Sequence, residues 1–134
     1  MSFRPKVGIV SCSGEDCLGG CVSRMATLEV LHRLRPTVTV TICLPLFLAG
    51  SGGEREFAKS FPTITVDGCA KMCAAKGTAK YSSEPAVKVN VSDYVDDPCT
   101  RVEGEANASE NSVVVQRVAG DIASHVDRLR SEWK

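Results

Sequence analysis

Hydrophobic residues recur along this chain with two different periods. Short runs rich in Val, Ile and Thr predict β-strands at residues 6–11, 37–43, 63–67 and 86–91. Between and after them, apolar residues three or four positions apart predict helices near 19–33, 54–60, 69–77 and 111–130. The last of these segments has the clearest apolar stripe, formed by Val115, Val118, Ala119, Ile122, Val126 and Leu129. Loops are expected at 45–53 and 92–110, and Gly77 is expected to end the third helix.

Strands that alternate with helices predict the fold class α/β. We expect a three-layer sandwich with a mostly parallel four-stranded sheet and helices on both faces. Right-handed crossovers leave few topologies, and we favour the strand order 2-1-3-4, with the fourth strand at an edge. The length of 134 residues fits a single domain over residues 1–134.

The charge balance and the hydropathy of the chain limit the kinds of molecule that we expect it to bind. Lys and Arg together number 16, as do Asp and Glu, so the net charge is zero. Without a basic surplus we expect neither a nucleic acid nor an anionic membrane as partner. No apolar run reaches the roughly 18 residues that span a bilayer, and residues 1–6 lack the apolar core of a signal peptide. We therefore expect a cytoplasmic protein, whose thiols stay reduced.

Three of the seven cysteines follow predicted strands, and this placement suggests chemistry. Cys12, Cys43 and Cys69 come at the ends of the first, second and third strands, and Cys73 follows Cys69 by four positions. The carboxyl ends of parallel strands meet at one edge of a sheet, where ligands bind. Neighbouring strands are about 4.8 Å apart, so side chains from adjacent strand ends can reach one ion. Four thiolates favour a soft metal ion, most simply zinc in a tetrahedral site.

Local electrostatics favour the same edge. The first and third helices are expected to begin there, and a helix N-terminus carries about half a positive charge. That charge stabilises thiolates, and free N–H groups of the first turn can donate to sulfur. If the third helix starts at Cys69, then Cys69 and Cys73 share one helix face.

Other interpretations of these cysteines remain open. They can simply be buried, since free Cys often packs as a small hydrophobe. A thiol redox or transfer enzyme using Cys12, Cys69 and Cys73 is a second possibility. Cys12 lies where low-molecular-weight phosphatases place a catalytic thiolate, but Leu18 stands where those enzymes need an arginine. An iron–sulfur cluster also uses four thiolates and is a third possibility.

The segment 66–74, Val-Asp-Gly-Cys-Ala-Lys-Met-Cys-Ala, resembles the signature of the DGC domain family, which is named for its Asp-Gly-Cys motif. The segments at 11–14 and 42–44 are similar to other recurrent segments of that family, and the resemblance covers about residues 7–125. It implies a zinc site with four chelating cysteines, here Cys12, Cys43, Cys69 and Cys73. It implies no established reaction.

Several further residues receive expectations. Asp67 is expected to cap a helix N-terminus, and Gly68 to permit a tight turn or a close backbone approach. The apolar run at 44–48 packs in the core by default. The alternatives are that it covers the site or packs against a second chain, which would make the protein a homo-oligomer. Cys17 and Cys21 form another i,i+4 pair near the same edge, and Cys99 follows the fourth strand; none of the three is assigned a ligand role.

Overall fold

The structure is a computed structural model that describes residues 5–12, 17–42, 44–50, 55–99 and 112–132, with the backbone alone at 44–46. Its strands are β1 (Val7–Ser11), β2 (Thr39–Thr41), β3 (Thr63–Asp67) and β4 (Val87–Asn90). Its helices are α1 (Leu18–Glu29), α2 (Leu44–Ala49), α3 (Phe57–Ser60), α4 (Cys73–Tyr81) and α5 (Val113–Glu132). A π-helical segment (Val30–Leu34) prolongs α1, and a 3₁₀ turn (Val91–Asp93) follows β4.

The four strands form one parallel sheet in the order β2-β1-β3-β4. Ile9 in β1 lies opposite Thr41 in β2 and Ile64 in β3, which fixes the register of these three strands. The predicted α/β class and the order 2-1-3-4 are both confirmed, including the edge position of the fourth strand. Because all strands run the same way, their carboxyl ends share one edge of the sheet.

Side chains alternate between the two faces of the sheet, and each face has its own core. Val7 and Ile9 of β1 lie on the face covered by α1 and α5. Val10 lies on the other face, with Phe57 of α3 and Ala74 of α4. On the first face, the helices contribute the fully buried residues Val22, Ala26, Val115, Val118, Ala119, Ile122 and Val126. The apolar stripe predicted for the last helix is therefore the inner face of α5, although Leu129 is only partly buried.

Three local predictions were wrong. The second strand spans Thr39–Thr41 rather than 37–43, and a helix (Leu44–Ala49) replaces the loop expected from residue 45. Within that helix Phe47 is buried, as core packing requires, whereas Leu48 is exposed. The third predicted helix begins at Cys73 rather than Cys69 and continues past Gly77, where a Cβ atom would meet only an ordinary contact. Most of the loop expected at 92–110 lies outside the described residues.

In the described part of the chain, no helix is both long and apolar enough to cross a bilayer.

Candidate functional site

At the carboxyl edge of the sheet, the N-terminus of α1 lies directly against the turn that follows β3. A Cβ atom on Gly19 would lie 2.1 Å from the carbonyl oxygen of Gly68. A Cβ atom on Gly68 would lie 2.5 Å from the Gly19 carbonyl carbon and from the Gly20 nitrogen. Real Cβ atoms do not come so close to backbone atoms, so this approach requires glycine on both sides. The close backbone approach expected at Gly68 is confirmed, and Gly19 is its partner.

Cys12 is held at this contact by hydrogen bonds. Its N–H donates to the Val66 carbonyl oxygen at 3.0 Å, which carries the β1–β3 pairing one residue beyond β1. Its Sγ accepts the N–H of Gly68 at 3.2 Å and lies 3.5 Å from the Ser23 hydroxyl of α1. An N–H directed at sulfur is the kind of contact that orients and stabilises ligating thiolates. The half-buried Cys12 sulfur is thus fixed beside the residue that precedes Cys69.

Asp67, the last residue of β3, determines where α4 begins. Its side chain is only 1% exposed, and its two carboxylate oxygens accept the N–H groups of Ala74 at 2.7 Å and Ala75 at 3.1 Å. These N–H groups belong to the first turn of α4 and have no partner within the helix. The capping role predicted for Asp67 is confirmed, for a helix that starts at Cys73.

Burial raises the pKa of Asp67, because the charged form loses its hydration. The two N–H donors from Ala74 and Ala75 and the charge of Lys76 act in the opposite direction but do not outweigh burial.

The four residues between Gly68 and α4 form a turn that β4 holds in place. Met72 has φ 56° and ψ 44°, the left-handed conformation that a residue with a Cβ atom rarely adopts. The side-chain amide of Asn90 donates to the Cys69 carbonyl oxygen at 2.8 Å and to the Met72 sulfur at 2.9 Å. Asn90 also accepts the N–H of Ser92 at 2.9 Å, which fixes its own orientation. Sequence reasoning missed Asn90, although a polar residue closing a strand at the ligand edge was a usable signal.

The predicted ligands have different surroundings. Cys69 is half-buried in this turn, and Cys73 is exposed at the first position of α4, so the two do not share a helix face as expected. Cys43 lies outside the described residues. Among the residues that are described, no three or more Cys, His, Asp or Glu side chains are grouped so as to hold a metal ion. The four-cysteine site therefore stays a prediction.

A cysteine that sequence reasoning left without a role is brought to the same edge. The N–H of Gly19 donates to the Pro98 carbonyl oxygen at 2.8 Å, so the segment after β4 packs against the N-terminus of α1. The next residue, Cys99, is exposed and lies in the same part of the molecule as Cys17 and Cys69. Loss of hydration raises the pKa of the Cys99 thiol, and the Cys69 and Cys17 thiols add to that effect.

Substitution of Gly19 tests the backbone contact. We expect Gly19→Ala to lower the free energy of unfolding by about 1–3 kcal/mol or more, because a methyl group has no space against Gly68. Gly120→Ala is the matched control: it also lies in a helix, but nothing lies within 4 Å of the place that its new methyl group would take. That variant is expected to gain about 0.5–1 kcal/mol. Urea unfolding measures both, and equal effects would contradict the contact.

The raised pKa of Asp67 predicts a pH dependence with a definite sign. Folding favours the neutral carboxyl, so the contribution of this group to stability is fully present below its ordinary pKa of 3.8. That contribution is lost as the pH rises through the higher pKa of the folded state. In urea unfolding at a series of pH values, the stability difference between wild type and Asp67→Asn should therefore shrink from about pH 3 upward. A stability difference that grows with pH would mean that the N–H donors of Ala74 and Ala75 lower the pKa of Asp67 by more than burial raises it.

Comparison with known protein families gives one match. The family model described as the DGC domain matches residues 8–118. No curated protein and no solved structure matches the chain significantly. The matched segment includes Asp67, Gly68 and Cys69 and covers most of the 134 residues. The chain therefore belongs to the DGC domain family.

Proposed function

We propose that the chain binds a soft divalent metal ion, zinc in the first instance, through the thiolates of Cys12, Cys43, Cys69 and Cys73. The observation that carries this proposal is the hydrogen bond from the Gly68 N–H to the Cys12 sulfur. This hydrogen bond joins the end of β1 to the turn after β3. It therefore supports a site to which two of the four cysteines, Cys12 and Cys69, contribute from neighbouring strand ends.

The chemistry of the donor set fits zinc. Four thiolates are a common set for tetrahedral zinc, and sulfur ligands disfavour Mg²⁺ and Ca²⁺. Four thiolates around a divalent ion carry a net charge of −2, which the α1 N-terminus and the Gly68 N–H partly offset. Zinc bound in this way would supply a closed coordination centre. Since Cys12, Cys69 and Cys73 do not form a metal-holding group by themselves, the proposal requires Cys43 and adjustment of the side chains.

Metal handling or sensing fits this edge better than a purely structural role. Both hydrophobic cores are built of apolar side chains, and Val7, Ile9, Ile64 and Val66 of the central strands are fully buried. The fold therefore has a sufficient core without an ion. Cys73 is exposed, so the ion would be within reach of an exchanging ligand.

Metal analysis of anaerobically purified protein tests the proposal. We expect stoichiometric zinc in the wild type, no visible absorption, and loss of the zinc in Cys69→Ser, because one of four ligands is removed. Cys21→Ser, which changes a cysteine outside the proposed set, should retain the metal. A brown protein would indicate an iron–sulfur cluster in place of zinc. Metal-free wild type that takes up no added zinc would refute the proposal.

A further inference from the structure

A cleft lies at the amino edge of the sheet, where the strands begin, opposite the edge that carries Cys12 and Cys69. It is lined by the segments that precede β1, β2 and β3 and by the last turn of α5. Its volume is about 500 Å³, which is within the range of small-molecule sites in proteins. The proposed metal chemistry uses no residue at this end of the molecule.

The apolar walls of the cleft are held by the structure around them. Val38 packs against the core beneath α1 and α5, and its carbonyl oxygen accepts the Val7 N–H at 2.9 Å. Phe61 packs against the core on the other face of the sheet, with its ring centroid 5.5 Å from that of Phe57. Pro5 is buried. Because these walls are already ordered, an apolar ligand can bind without first losing the freedom of mobile side chains.

The charged side chains among the described lining residues are both cations. Lys6 is exposed and makes no ion pair with any residue that the structure describes. Arg130 donates from Nε to the Pro5 carbonyl oxygen at 3.1 Å, which fixes its guanidinium beside the cleft. Asp127, on the same helix, interacts with Arg130 but accepts its hydrogen bonds from Arg35, at 2.8 and 2.7 Å. The terminal nitrogens of Arg130 therefore have no hydrogen-bond acceptor within the described ranges.

We propose that this cleft binds a small organic anion, with its charged group at Lys6 and Arg130 and its apolar body against Val38 and Phe61. Two cations without an acidic neighbour in the lining favour an anion, and the planar fork of a guanidinium matches the oxygens of a carboxylate, sulfonate or phosphate. The apolar walls favour a ligand with a ring or a hydrocarbon chain over an inorganic ion. The site shares no residue with the proposed metal ligands, so either proposal can fail without the other.

Titration of the isotope-labelled full-length chain with naphthalenesulfonate, followed through its amide NMR signals, tests the site. We expect saturable shifts that are largest for the amides of Lys6, Val38, Phe61 and Arg130. Two further probes separate charge from apolar contact: naphthalenesulfonamide keeps the ring without the charge, and inorganic sulfate keeps the charge without the ring. Each should bind about tenfold more weakly than the sulfonate. Shifts that do not saturate or that lie elsewhere, or equally tight binding of either probe, would overturn the proposal.

Substitutions test the two cations. Arg130→Gln should weaken naphthalenesulfonate binding about tenfold, and Lys6→Gln about threefold, because exposed charges interact more weakly. Arg128→Gln is the matched control: it removes one positive charge from the same helix, but Arg128 lies outside the lining and donates to Glu132 at 3.4 Å. This control should bind as the wild type does.

The second cation keeps the test decisive. Arg130→Gln also removes the hydrogen bond to Pro5, whereas Lys6→Gln breaks no ion pair in the part of the chain that is described. Weaker binding in both variants, with Arg128→Gln unchanged, supports the site. Unchanged binding in Lys6→Gln, or an equal loss in Arg128→Gln, refutes it, since the first would remove one of the two cations from the site and the second would show an effect of net charge alone.

Discussion

The backbone contact between Gly19 and Gly68 is the constraint on which the carboxyl edge depends. It lets the first turn of α1 lie directly on the turn after β3, with no side chain between them. From that contact the Gly68 N–H reaches the Cys12 sulfur, and the Gly19 N–H reaches the carbonyl oxygen of Pro98. A single methyl group at either glycine would push the first turn of α1 away from the turn that carries Cys69.

The features that sequence could predict are those set by local pattern. The third strand was predicted with its observed bounds. The apolar stripe from Val115 to Val126 identified the inner face of α5, because the helical spacing of its apolar residues matches the residues that are buried. The alternation of strands and helices and the handedness of crossovers left only a few strand orders, and the favoured one is observed. That Cys12 and Cys69 follow neighbouring strands at one edge could be predicted because it requires only that parallel strands end together, whereas the four-cysteine site stays a prediction.

The features that sequence could not predict depend on contacts between distant residues. The start of α4 is set by Asp67, whose carboxylate caps N–H groups seven and eight residues further on, across a turn that includes a left-handed Met72. Nothing in the local pattern marks that turn, so the helix was expected four residues too early. The segment that carries Cys99 is brought to the N-terminus of α1 by a hydrogen bond from the Gly19 N–H to the Pro98 carbonyl oxygen, which no local pattern marks. The helix at 44–49 was missed because a short apolar run has no distinguishing period.

Cys69 is a proposed metal ligand whose backbone the structure holds in place. Its carbonyl oxygen accepts the side-chain N–H of Asn90, and the N–H of the preceding residue, Gly68, donates to the Cys12 sulfur. A reduced Cys69 is available to a metal ion, and an oxidised one is not. X-ray absorption spectroscopy at the zinc edge, on reduced zinc-loaded protein, tests the central claim most directly. The account predicts four sulfur neighbours at about 2.3 Å from zinc, whereas a shell made mainly of nitrogen or oxygen would contradict it.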